Sequence, residues 1–201
     1  ARESATTLAA MKEALGSVPF AAQYQQDPLP PDGALLRWSW FRRYKAPFVQ
    51  QPGDALIHSW DTATVPGLQA DYSVGLVFAV RGQRYYLIDV IRGRWDYPNL
   101  RRTVLRTIDR YPPFEVIIEL ANTGYALVQE LRDDAIAERG PLQLRQVRWH
   151  KPEQSKVARL SAGSAAIEAG QVWLPDRAPW LAALRHEVRL LPTGSYDDQV
   201  D

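Results

Sequence analysis

The chain has 201 residues, enough for one sizeable core. Its 24 Lys and Arg nearly balance its 23 Asp and Glu, which excludes a histone-like or tail-type binder while leaving room for a local basic patch. The absence of cysteine excludes a disulfide scaffold and a zinc–thiolate site.

The opening stretch, ARESATTLAAMKEAL, carries no secretory signal and reads as the interior of something longer. No apolar run approaches the ~18 residues of a membrane span, so a soluble intracellular protein is expected. Residues 9–15 suit a short helix. QYQQDPLPPDG and FRRYKAPFVQQPGD follow, rich in proline and glutamine with little periodicity. Residues 1–50 therefore read as an extended connector. Trp38, Trp40 and Phe41 would pack it onto a core; stacking on nucleic-acid bases is the alternative.

Regular patterning begins at residue 54. Residues 55–60 form a short apolar strand that runs out at Asp61, and residues 72–80 form a second strand. Arg81-Gly82-Gln83 is a turn, and residues 85–91 return as a third strand. Asp96 reads as a helix N-cap with Pro98 in the first turn. Leu100, Val104, Leu105 and Ile108 form the apolar stripe of that helix, which Pro112-Pro113 stops. VIIEL, residues 116–120, is a fourth strand. A helix starting at Thr123 or Gly124 turns Leu127, Val128 and Leu131 inward. Residues 142–149 alternate as a fifth strand. Residues 155–169 are helical up to Gly170, residues 172–174 make a brief strand, and a last helix runs from Pro179 to about residue 190. The fold class is α/β: a mixed five-stranded sheet, three antiparallel strands followed by two parallel ones, flanked by helices.

Asp61 sits where the first strand ends and Glu119 near the end of VIIEL. If the fourth strand pairs parallel with the first, the two carboxylates occupy neighbouring C-terminal strand ends, where α/β sheets commonly bind ligands. Glu119 shares a face with Ile117, while Val116, Ile118 and Leu120 take the other. A solvated Glu119, or one paired with an arginine, is the bland alternative. The chain ends SYDDQVD. Gly194 breaks the preceding helix, so Asp197 and Asp198 could fold back towards Asp61 and Glu119. Carboxylates so gathered repel unless cations sit among them, and oxygen donors suit Mg²⁺ or Mn²⁺. The alternative for SYDDQVD is the cap and acidic first turn of a further helix.

Other constellations are weaker. His58, His150 and His186 lack metal-like spacing and read as packing or surface residues. Arg92, Arg94, Arg101, Arg102 and Arg106 read as the solvated face of a helix. Lys151, Lys156 and Arg159 follow the fifth strand and could overhang the acids and meet phosphates. No GxxxxGK[ST] motif and no nucleophile-elbow serine occurs.

Four stretches together carry a family resemblance: FAAQYQQDPLPPDG, SWDTA, VIIELANTGYALVQEL and the final EAGQVWLP…WLAALRHEVRLLPTGSYDDQVD. In that order they resemble the C-terminal nuclease domain of the tailed-bacteriophage terminase large subunit. The resemblance implies a ribonuclease H-like nuclease domain over residues 51–201, with residues 1–50 the connector from an N-terminal ATPase domain that is not in this chain. It implies that Asp61, Glu119 and Asp197 or Asp198 hold two Mg²⁺ or Mn²⁺ ions. Asp197 would be the ligand, Asp198 a helper and Asp201 structural. It further implies a hydrolase that cuts double-stranded concatemeric DNA with little sequence preference, in the cytoplasm of a bacterial host. The portal protein and the small terminase subunit would be its partners. The alternatives are another ribonuclease H-like nuclease (a junction resolvase or transposase core) and a non-catalytic docking domain of the motor.

Overall fold

A computed structural model describes residues 5–15, 20, 36–63, 72–120, 123–151 and 156–191. In chain order they form α1 (Ala5–Leu15), β1 (Arg42–Tyr44), β2 (Ala55–Asp61), β3 (Ser73–Arg81), β4 (Arg84–Gly93), α2 (Tyr97–Arg110), β5 (Glu115–Glu119), α3 (Thr123–Ile136), β6 (Val147–His150), α4 (Lys156–Glu168), β7 (Val172–Pro175) and α5 (Leu181–Leu190). They fall into two compact units: Phe48–Glu153, and Ala1–Pro47 together with Gln154–Asp201.

The unit Phe48–Glu153 holds five strands in the order β4-β3-β2-β5-β6. β2, β3 and β4 are an antiparallel meander. β5 pairs parallel with β2, and β6 parallel with β5, each reached through a helix as expected. α2 starts as the sequence predicts: the Asp96 carboxylate accepts from the Asn99 N–H at 3.0 Å, and Pro98 lies in the first turn, where its missing N–H costs nothing.

One face of this sheet is the core. Trp60, Val116, Ile118 and Val147 point from the strands into it. Leu100, Val104 and Ile108 of α2 and Leu127, Val128 and Leu131 of α3 close over them. The alternation ALIHSWD is the cause, because Leu56, His58 and Trp60 are buried while the residues between them are only half-buried. Trp60 faces Gly75 across the ladder, and a Cβ on Gly75 would stand 2.6 Å from the indole, so only glycine admits that ring. Truncating a core side chain of this kind costs about 2–5 kcal/mol.

The other unit contains α1, α4, α5 and a parallel pair, β1 with β7, in which Arg42 stands opposite Trp173. Trp38 packs there among Phe41, Arg43 and Arg185. Seven strands are thus described, not five. The two extra ones span three and four residues, RRY and VWLP. RRY lies within a stretch rich in proline and glutamine and has no alternation to reveal it. The expected strand over residues 142–149 is also corrected, since it begins only at Val147. Gln143 and Gln146 cap each other in a 3₁₀ turn at Leu144–Gln146, and Gln146 Nε2 donates to the Pro113 carbonyl at 2.6 Å, so the chain bends before it pairs.

Candidate functional site

The parallel pairing of β2 and β5 sets Trp60 opposite Ile118. One residue further on each strand come Asp61 and Glu119. They share the register, the face opposite the core, and the C-terminal edge of the sheet. Neighbouring strands lie about 4.8 Å apart, so these two carboxyl-bearing positions are adjacent although 58 positions separate them in sequence. Both residues are half-buried.

The register extends across the sheet. Asp61 stands opposite Val74 of β3, Val74 opposite Arg92 of β4, and Glu119 opposite His150 of β6. Arg92, Val74, Asp61, Glu119 and His150 therefore form one row along one end of the sheet. The Leu120 N–H donates to the His150 carbonyl at 2.7 Å and continues the ladder at its last rung. Neither Arg92 nor Arg94 lies on a helical face, as the sequence had suggested. Arg92 is in β4 and Arg94 just after it, with both guanidinium groups over the Tyr72 ring at 3.8 and 4.3 Å. His150 had no visible spacing to a partner. Only the register of a four-residue strand brings it beside Glu119.

The loops leaving β2 and β5 are locked to each other. Thr123 Oγ1 donates to the Ala63 carbonyl at 2.8 Å and lies 3.1 Å from the Thr62 hydroxyl, which can donate to it in turn. The Ala63 N–H donates to Ser73 Oγ at 2.9 Å, and Thr62 and Ser73 are both buried. Gly124 completes the cradle. A Cβ there would collide with the Glu119 carbonyl oxygen and stand 3.2 Å from Thr62 Oγ1. The first turn of α3 therefore presses on the backbone of Glu119 through a contact that only glycine permits. The TG in VIIELANTGYAL fixes how the Glu119 strand end meets the Asp61 strand end.

Two carboxylates in one register repel, and a divalent cation relieves that repulsion. Oxygen donors of this type fit Mg²⁺ or Mn²⁺. Among the described residues no group of three or more His, Asp or Glu side chains is close enough to hold a metal. The acids expected to complete the set, Asp197 and Asp198, lie with Asp201 outside the described residues. Lys151 is exposed, directly after β6. Lys156 opens α4 and Arg159 stands one turn later, half-buried; both belong to the other unit, and the side chain of Lys156 lies outside the described set.

His58, by contrast, is a core histidine with no exposed surface. Burial drives its pKa down to about 4; backbone at Tyr111 opposes this weakly, and neither ring nitrogen makes a well-formed hydrogen bond among the described residues. Its imidazole is neutral in the folded protein at neutral pH.

A family model described as the Terminase RNaseH-like domain matches residues 58–201. The large terminase of a thermophilic bacteriophage, in complex with ATP-gamma-S, is 10% identical and superposes with a TM-score of 0.62, over 92% of this chain and 44% of its own. The Mn-soaked, inhibitor-bound human cytomegalovirus terminase nuclease domain is also 10% identical, with a TM-score of 0.55 over 82% of this chain and 90% of its own. At such identity these likenesses show the fold alone. The chain spans less than half the length of the phage protein it matches. No curated protein sequence matches it.

Proposed function

Since the chain belongs to the terminase RNase H-like nuclease domain family, we propose that it cuts double-stranded concatemeric DNA, with little sequence preference, by metal-dependent phosphodiester hydrolysis during viral DNA packaging. The observation that carries this reading is the position of Asp61 and Glu119, each one residue beyond the Trp60–Ile118 pair at the C-terminal end of a parallel strand pair and on the face away from the core.

In this reading Asp61 and Glu119, joined by Asp197 or Asp198, hold two Mg²⁺ or Mn²⁺ ions. Such ions, when bound, activate a water and neutralise the charge that develops on the departing 3′ oxygen. The protein's own part is orientation. The Thr62–Thr123–Ala63 bonds and the Gly124 contact hold the two strand ends in fixed relation, so the carboxylates need not reorganise when DNA arrives. Lys151, Lys156 and Arg159 contact phosphates and steer the duplex, which makes binding fall steeply with salt. Residues 1–50 connect to an N-terminal ATPase domain, and the domain works in the host cell beside a portal protein and a small terminase subunit.

Digestion of supercoiled plasmid with Mn²⁺ tests this. The chain nicks and linearises the plasmid, while Asp61→Ala and Glu119→Ala, correctly folded, do not. Equal digestion by wild type and both variants would place the chemistry elsewhere.

A further inference from the structure

β6 is the outermost strand of its five-stranded sheet, and it divides two surfaces. His150 belongs to the row that contains Glu119. Trp149, its neighbour, points to the opposite face, yet there the core has ended: Trp149 is 50% exposed, although Ile118, its register partner, is fully buried. Around it lies an open groove lined by Arg132 of α3, by Leu144 and Arg145 of the 3₁₀ turn, and by Val147 and Arg148 of β6. The Arg132 guanidinium stacks on the Trp149 ring at 5.0 Å. Arg148 reaches Glu115 at 3.6 Å with most of its side chain in solvent, and neither Arg132 nor Arg145 forms an ion pair among the described residues. In the same unit Arg81 is matched by Asp54, and Arg101 by Glu130 and Asp134.

Arg132 and Arg145 beside one half-exposed tryptophan form a positive groove with a flat aromatic floor, while Arg148, on the other face of β6, lies at its rim. A phosphate backbone satisfies the charges, and an unpaired base satisfies the ring, because base–aromatic stacking tolerates any sequence and guanidinium groups extend the stack. A duplex offers the phosphates but keeps its base faces hidden. We propose that this groove binds a single-stranded DNA segment, with a base stacked on Trp149 and phosphates held by Arg132 and Arg145. In choosing DNA among polyanions the proposal rests on the nuclease reading. The groove adjoins the candidate site through the Trp149–His150 peptide, so a strand frayed at the cut would pass round the end of β6 into it.

The test is fluorescence anisotropy of a labelled oligothymidylate with the intact chain in EDTA, where no cleavage occurs. Trp149→Ala should weaken binding about 10-fold and Trp149→Phe about 2-fold or less, with unchanged circular dichroism for both. The double variant Arg132→Gln/Arg145→Gln should weaken binding at least about 10-fold and reduce the salt slope by about 1–2. A duplex of equal length should be insensitive to Trp149→Ala. Oligothymidylate affinity unchanged in Trp149→Ala would overturn the proposal, as would displacement of the oligothymidylate by poly-glutamate at equal charge concentration, which would indicate an acidic protein partner. Asp61→Asn keeps oligothymidylate binding, so the two readings fail separately. Plasmid cutting by Asp61→Asn sinks the nuclease assignment alone, and normal binding by Trp149→Ala sinks the groove alone.

Discussion

The two ends of β2 carry acids in opposite company. Asp54, just before the strand, has its carboxylate tucked away from solvent and receives both Nε and Nη2 of Arg81, at 2.7 and 2.6 Å. The hydrogen bonds from Arg81 hold its carboxyl below the usual range, against the cost of its burial. Asp61, at the other end, and Glu119 each follow the last paired residues of the parallel strands, Trp60 and Ile118. The first arrangement fastens the start of β2 to the end of β3 beside the Gly82 turn. The second sets two carboxyl-bearing positions together, and on the proposed reading it is there that a divalent cation binds. On the proposed reading, the acid matched by a bidentate arginine serves the fold, and the acids set side by side serve a ligand.

Substitutions at the two ends should separate these roles. The largest effect is expected at the Asp61 end. Asp61→Asn or Glu119→Gln should lower Mn²⁺-dependent plasmid cutting by about 10³-fold or more while the thermal midpoint holds or rises, since like-charge repulsion is removed. Asp54→Ala should do the reverse: the midpoint falls, and the activity of the folded fraction stays within a few-fold. A drop in activity equal to that of Asp61→Asn would erase the distinction.

Next comes the cradle. Gly124→Ala forces a Cβ against the Glu119 carbonyl, and the backbone must shift. A displacement of about 1 Å at a catalytic group can cost about 10²-fold in rate, so cutting should fall by that order with DNA affinity retained. Wild-type activity in Gly124→Ala would show that the strand ends tolerate independent movement.

A smaller effect sharpens the contrast between polar groups on the two faces. His58 has a folded pKa of about 4 against 6.5 when unfolded, so the unfolded chain binds the extra proton between those values. Its contribution is complete above about pH 6.5 and is lost as pH falls towards 4, amounting to about 3 kcal/mol at most. Denaturant midpoints measured across that window should fall with pH, and His58→Leu should flatten the slope. An unchanged slope would assign acid sensitivity to other groups. Least of all, Ser73→Ala removes the acceptor of the Ala63 N–H and should cost about 1 kcal/mol.

Much of this was legible in the sequence because local rules and tertiary demand agree. The alternation of ALIHSWD, the Asp96 cap with Pro98, and the stripe Leu100–Val104–Ile108 each fix an element without outside help, and the order of elements then dictates which strands pair parallel. From that alone Asp61 and Glu119 fall at neighbouring strand ends. What escaped depends on contacts between segments remote in sequence. RRY becomes a strand only because VWLP offers it a ladder. His150 joins the row only through the one register that β6 adopts. The basic groove was hidden for the same reason: Arg132 and Trp149 sit 17 positions apart, on a helix and a strand.

Binding of Mn²⁺ measured by calorimetry on the intact chain, with Asp61→Ala and Glu119→Ala alongside, is the most direct test of the central claim. The two adjacent carboxylates are expected to give a carboxylate-dependent heat that each single variant greatly weakens, whereas Asp54→Ala retains it. Identical titrations for wild type and both site variants would contradict the account.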